Sequence, residues 1–411
     1  MKQGRVFIIT MVTVIAVGGV CSSQTAGQQT HWETVEPERK LTQAGNEFGF
    51  DLFRELNKTD TSINLLVSPL SVSAALAMTY NGAAGETKTA MENTLQLAGW
   101  EINDINRTYK SLFATLQQLG RQIQMEIANS IWYRQSLPVK DSFLAVNTEY
   151  YDAKIQALDF NDSQAAGIIN DWVSEKTHGK IPNIIDRIDP LLQMLLINAV
   201  YLKGSWAKPF AEGDTKLEPF YRFDGQKIQC QLMTQDGRFP YWSDGNLQVV
   251  DLGLGSPGFG VLIILPANRT DLDTLVTSIN GTFWAKLVDR PTSAYGRIFV
   301  PKFEFQYEAG LKKYLDVLGM SKCFAPGADF GGISDAPLFI DDVLHKTYVK
   351  TDEKGVEAAA VTAVLMLGDA PDSKPKLEFT MRVDRPFLFV IHERTSGAIL
   401  FLGKVLDPTA G

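Results

Sequence analysis

The sequence predicts an α+β fold in one domain, on three observations. Apolar residues recur at helical spacing through the first third of the chain, β-type runs dominate from Gln193 onward, and no Pro/Gly/Ser-rich linker or repeat interrupts the chain after Thr42. Helices gathered ahead of strands argue against a doubly wound parallel sheet, in which the two would alternate. With 411 residues, 45% hydrophobic and 21% charged, the chain is long enough to bury a large core.

Residues 1–23 have the pattern of a secretory signal. Lys2 and Arg5 open it, residues 6–20 form an apolar run, and Cys21, Ser22 and Ser23 are small residues at a cleavage position. The run is short of the ~20 apolar residues a membrane span needs, and no other stretch approaches that length. A secreted chain with no obligate membrane partner is expected, with lipid attachment at Cys21 as the alternative. Residues 24–41 are polar and read as a flexible leader, so the single domain is assigned to 42–411.

Helices are expected at 44–56, from the Ser68-Pro69 step to 80, and at 86–97 and 103–119. Ser68 serves as cap and Pro69 as first helical residue. Near 124–133 the period falls to two. Strands are expected at 194–202, 247–252, 260–265, 297–305, 386–391 and 399–405, the last pair joined by the turn-like ERTSG.

Several chemistries fall away. A net charge of −8 and the lack of a clustered basic helix argue against nucleic acid, and residues 86–119 present no basic face for a polysaccharide. After removal of the signal only Cys230 and Cys323 remain, too few for zinc or a redox pair, with a single bridge between them left open. Gly253, Gly255 and Gly258 match a dinucleotide motif, but Pro257 interrupts it and a strand pattern follows, which reads as a hairpin turn. No nucleophile elbow or paired-histidine zinc motif occurs. Of four histidines, His345 enters an apolar strand, where the ordinary role is a hydrogen-bonded core residue. Five glycosylation triplets begin at Asn57, Asn106, Asn161, Asn268 and Asn280.

The segment 353–375, EKGVEAAAVTAVLMLGDAPDSKP, is the least committed locally. Its first half can be a helix, with three consecutive Ala and a Glu in the first turn, or a strand, which would put Val356, Ala358, Ala360 and Thr362 on one face and Glu357, Ala359, Val361 and Ala363 on the other. The first face is small and uncharged, and turn residues follow at Gly368, Asp369, Pro371, Asp372 and Ser373.

Its flanks resemble the serpin family. NLLVSPLSVSAALAM from Asn64, NAVYLKGSWAKPF from Asn198, VPKFEF from Val300, HKTYVKTDEKG from His345 and DRPFLFVIHERTSGAILFLGKVLDP from Asp384 carry the resemblance, in order, over roughly 41–408. It implies about nine helices, three β-sheets and an exposed reactive loop at about 353–376, in a serine protease inhibitor that is not an enzyme and takes no cofactor or metal. The implied partner is a protease, serine or alternatively cysteine, trapped covalently by a monomer; the rival is a non-inhibitory member. By resemblance Glu353, Gly355, Val356, Glu357, Ala358, Ala359, Ala360 and Thr362 form the hinge, with Val356 where Thr or Ser is usual. Trp206, Lys302 and Glu353 form the cluster where the loop enters the sheet, and Ser68, Ser71, Asn198 and His345 the polar group beneath it. The family's spacing puts the cleaved bond at Asp369–Ala370; counting back from the C-terminal motif points towards Asp372–Ser373, and cleavage after Met366 or Leu367 would suit a different protease.

Overall fold

The first described element is a helix. The computed structural model describes residues 36–119, 123–255, 257–357 and 375–410, and α1 occupies Glu36–Thr59. Glu36 and Glu38 lie in its first turn, where negative charge meets the positive end of the helix, and Pro37 needs no hydrogen-bond donor there. This corrects the end of the leader expected at 24–41, whose residues 24–35 lie outside the described residues. Residues 36–41 are helical, because Leu41 extends the apolar stripe into the core and the buried Glu38 accepts a bond from Ser111. The expected signal at 1–23, with Cys21, lies outside the described residues.

Eight further α-helices follow among the described residues: α2 (Pro69–Tyr80), α3 (Gly85–Thr94), α4 (Ile102–Leu119), α5 (Asp141–Tyr151), α6 (Ala165–Lys176), α7 (Leu272–Ser278), α8 (Gly281–Asp289) and α9 (Lys312–Leu315). Every residue of α2 is buried, since it packs against strands of both sheets; its sequence is apolar apart from Ser71, Ser73 and Thr79, and the last two donate their hydroxyls to carbonyls of the helix itself. Ser68 and Pro69 start it as expected, although the Ser68 side chain makes no capping bond.

The strands are β1 (Leu65–Val67), β2 (Ile123–Arg134), β3 (Lys154–Leu158), β4 (Met194–Ser205), β5 (Lys216–Tyr221), β6 (Lys227–Ser243), β7 (Leu247–Leu254) and β8 (Phe259–Pro266). They continue with β9 (Thr292–Pro301), β10 (Phe303–Gly310), β11 (Asp342–Asp352), β12 (Gly355–Val356), β13 (Phe379–Arg382), β14 (Phe387–Glu393) and β15 (Ile399–Val405). A nine-stranded sheet runs β1-β15-β14-β8-β7-β6-β9-β13, with β5 also on β6. A six-stranded sheet runs β10-β11-β12-β4-β2-β3. The third expected sheet is continuous with the nine-stranded one, since the 17 residues of β6 pair with β5, then β9, then β7. The single strand expected at 297–305 is two strands in different sheets, broken at Lys302. The glycine motif is the β7–β8 hairpin turn, with Gly255 at φ +59°.

Helix α6 covers the outer face of the six-stranded sheet, where Ile169 and Val173 share an apolar cluster with Trp132, Ile197 and Tyr348. The inner face of that sheet meets the main core, which includes Val200, Leu202, Val349 and Val356. Cys230 and Cys323 are free and buried, and burial pushes both thiols up to about 12. Asn57 and Asn106 spend their side chains on internal bonds to Lys404 and Asn81, so those two triplets are not open acceptors. Among the described residues no helix is long and apolar enough to cross a membrane, and no cluster of His, Cys, Asp or Glu fits a metal ion.

Candidate functional site in the split centre of the six-stranded sheet

β4 and β11 are the central strands of the six-stranded sheet. They pair in parallel register only over Leu195–Val200 against Asp342–Thr347. Beyond Val200 and Thr347 they part, and β12 fills the fork. Gly355 lies opposite Ser205 and Asp352, and Val356 opposite Gly204 and Thr351, antiparallel to both neighbours. The chain enters β12 through a tight turn at Glu353 and Lys354, held by the Lys354 N–H, which donates to Asp352 Oδ1 at 2.8 Å. Glycine is required at 355, because a Cβ there would sit 2.1 Å from the Gly204 carbonyl oxygen. Val356 is buried at 3% exposure. The strand stops at Glu357, whose φ of +41° turns the backbone out of line while its N–H still donates to Lys350 O at 2.8 Å.

The expected entry cluster assembles around that turn. Trp206 donates from Nε1 to Asp352 O (2.8 Å) and from its backbone to Lys354 O (2.9 Å). Lys302 Nζ lies 3.0 Å from Glu353 Oε2, and Thr215 Oγ1 donates to Glu353 Oε1 at 2.8 Å. Burial works against the Glu353 charge, but the bonds from Lys302 and Thr215 outweigh it and hold the carboxyl below its ordinary range. A cleft of about 450 Å³ opens here, lined by Thr215, Gln231, Lys302 and residues 352–354.

Below the fork, the four residues expected beneath the sheet come together. His345 and Asn198 are direct partners across the parallel join, and His345 Nδ1 bonds Asn198 Oδ1 at 2.6 Å. The Ser68 backbone N–H donates to His345 Nε2 at 3.3 Å, which makes Nδ1 the protonated nitrogen. Asn198 Nδ2 donates to Ser71 Oγ and, at 2.5 Å, to Asn129 Oδ1 on β2. His345 is fully buried, and desolvation pulls it from 6.5 down to about 3, against the opposing bond to Asn198. It is therefore neutral, and it ties β11 to β4 and to the start of α2.

Sequence reasoning thus brought Trp206, Lys302, Glu353, Gly355 and Val356 to one place and Ser68, Ser71, Asn198 and His345 to another. Ala358, Ala359, Ala360, Thr362, Asp369 and Ala370 lie outside the described residues. Thr215, Asn129, Lys180 and Tyr201 were missed. Asn129 had a visible signal, a polar residue inside the apolar strand of IANSIW; Thr215 had none, since its partner is 138 residues away.

The fold and site define an α+β protein whose helix-covered sheet has its two central strands joined below and parted above by the start of a C-terminal loop. The family model for Serpin (serine protease inhibitor) matches residues 43–408, and the chain belongs to the serpin family. It is 33% identical over 381 residues to an uncharacterized serpin-like protein of Thermococcus kodakarensis, covering 91% of this chain and 87% of that one. It is 32% identical over 382 residues to the leukocyte elastase inhibitor of Bos taurus, covering 90% and 100%. Among solved structures, the native state of the thermophilic serpin tengpin is similar with a TM-score of 0.82 and 30% identity, over 91% of this chain and 95% of that one.

Proposed function

We propose that this chain is a serine-type endopeptidase inhibitor that acts as a suicide substrate. The protease nucleophile adds to the carbonyl at the cleaved bond and the amine leaves, giving an acyl-enzyme. The freed N-terminal side of the loop then continues β12 down the seam and carries the protease with it before water can release it.

The docked hinge supports this reading. Continued in the register of Gly355 and Val356, the even-numbered residues face the main core: Ala358 falls between Leu202 and Val349, Ala360 between Val200 and Thr347, and Thr362 between Asn198 and His345. Small side chains suit the first two positions. A hydroxyl suits the third, because insertion separates His345 from Asn198 and leaves each in need of a polar partner. The odd-numbered face places Glu357 between Lys203 and Lys350. A strand of about a dozen residues that gains hydrogen bonds on both edges, at ~1 kcal/mol each, makes insertion favourable by roughly 10 kcal/mol.

Export through residues 1–23 and a monomeric state belong to the same proposal, as does cleavage at Asp369–Ala370, with Asp372–Ser373 and the bonds after Met366 and Leu367 as its rivals. The test is to mix the protein with serine proteases of acidic, chymotrypsin-like and elastase-like specificity, with a cysteine protease alongside, and run denaturing gels. A stable band at the summed mass supports inhibition. Clean cleavage by every protease, with no complex, overturns it in favour of a non-inhibitory serpin. Mass spectrometry of the released C-terminal fragment fixes the bond.

A further inference from the structure

Segment 177–183 lies across the outer face of the six-stranded sheet and spans the seam. Helix α6 ends there in two left-handed residues, His178 (φ +52°) and Gly179 (φ +77°), and Thr177 closes the turn by donating to Val173 O and accepting from Ile181 N–H. On one side of the seam the His178 ring lies 4.9 Å from the Tyr201 ring of β4 and its Nε2 is 2.8 Å from Gln124 Nε2 of β2. On the other side Gln306 of β10 donates to Lys180 O (2.9 Å), Lys346 of β11 donates to Asn183 O (2.7 Å), and Lys180 Nζ stands 5.3 Å over the Tyr348 ring of β11. The strap is fastened to both strands that must separate.

The hinge is fastened to the strap. Glu357 is buried at 8% exposure, and its Oε1 lies 3.1 Å from Lys180 Nζ and accepts from Tyr201 OH at 3.3 Å, while Oε2 has no partner. A left-handed backbone is unfavourable for a glutamate, so this contact holds the conformation that ends β12 after two residues. The path beyond is equally marked. Tyr201 and Tyr348 each lie three residues past the partners of Val356, so the third residue to follow it into the seam must pass between these two rings, beneath the Lys180 ammonium.

Resting on the inhibitory reading above, we infer that Lys180 is a positioning residue for loop insertion: it holds Glu357 as a stop that limits the uncut hinge to two docked residues and delays entry of the third. Full insertion exchanges Lys180 for Lys203 and Lys350 as the neighbours of Glu357. The Lys180 contact therefore stabilises the docked hinge more than the passage out of it, and its removal loosens the one and speeds the other.

The experiment uses the full chain and the variants Lys180→Gln, Lys180→Arg, Glu357→Gln and the Lys180→Gln/Glu357→Gln double. Hydrogen exchange of residues 355–357 is read in uncut protein. The rate at which the thermal midpoint rises is read after the loop is cut by a protease that is not trapped. Removing a partly exposed ion pair changes either by roughly fivefold at most. Lys180→Gln is expected to raise exchange and accelerate insertion by about that factor, with Lys180→Arg restoring both. In uncut protein Glu357→Gln should match Lys180→Gln in exchange, and the double variant should add nothing there, since both act through one contact. Unchanged exchange and insertion in Lys180→Gln, or slower insertion, overturns the inference. Failure of the cut wild-type protein to gain stability overturns the inhibitory reading instead, and the exchange data still decide whether Lys180 holds Glu357.

Discussion

Acid should loosen the seam through His345. The side chain is held neutral in the fold, with its pKa pulled down to about 3, whereas the unfolded chain takes up a proton near the ordinary value of ~6.5. A depressed folded pKa means that the stability is fully present above 6.5 and is lost as pH falls towards 3, because only the unfolded state gains from protonation in that window. The loss approaches 1.4 kcal/mol per pH unit, and integrating from pH 7 to pH 5 gives about 2 kcal/mol for this one residue. At ~2.1 cal/mol/K of unfolding entropy per residue, that is about 2.5 °C in thermal midpoint for a domain of this size. The assay compares wild type with His345→Gln at pH 7 and pH 5, at one scan rate. Carboxylates contribute to both proteins alike, so wild type should lose about 2.5 °C more than the variant. Equal losses in the two proteins would show that His345 is not the buried neutral link described.

Three other perturbations probe the hinge and its entrance. Val356→Arg buries an unpaired guanidinium in the fork at a cost of several kcal/mol, and should abolish the covalent complex while leaving loop cleavage intact; persistence of the complex on denaturing gels would sink the insertion mechanism. Gly355→Val drives a side chain into the Gly204 carbonyl and should undock β12, seen as at least ~10-fold faster amide exchange at Glu357, whose N–H is bonded to Lys350 O. Trp206→Phe keeps the ring but deprives the Asp352 carbonyl of its indole donor, and chemical denaturation should register a loss of ~1–3 kcal/mol.

Local signals and long-range ones divided sharply in this chain. The start of α2 was legible because Ser68 and Pro69 act within one turn, and β15 was legible because it is buried on both faces and opens with the apolar run ILFL. β6 was not, since KIQCQLMTQDGRFPYWS carries Gln, Asp and Arg through a strand whose pairing depends on β5, β9 and β7. The break at Lys302 was also hidden: VPKFEF reads as one alternating run, and only the separation of the two sheets shows that it turns a corner. For the site, residue types alone left His345 as an ordinary core histidine, and resemblance to the family supplied its companions. Neither source pointed to Lys180, because a lysine after a helix carries no mark of a partner 177 positions away.

The parallel join between β4 and β11 has an orientational consequence. A chain that leaves β11 through a tight reversal at Glu353 and Lys354 must run back antiparallel to it. Such a strand can also be antiparallel to its second neighbour only if the two neighbours point the same way. The joins of β11 with β10 and of β4 with β2 are antiparallel and do not meet that condition, and the join of β2 with β3 lies at the far edge of the sheet. Strand direction and adjacency to β11 together therefore select the place in this sheet where the hairpin can be received with matched polarity on both sides.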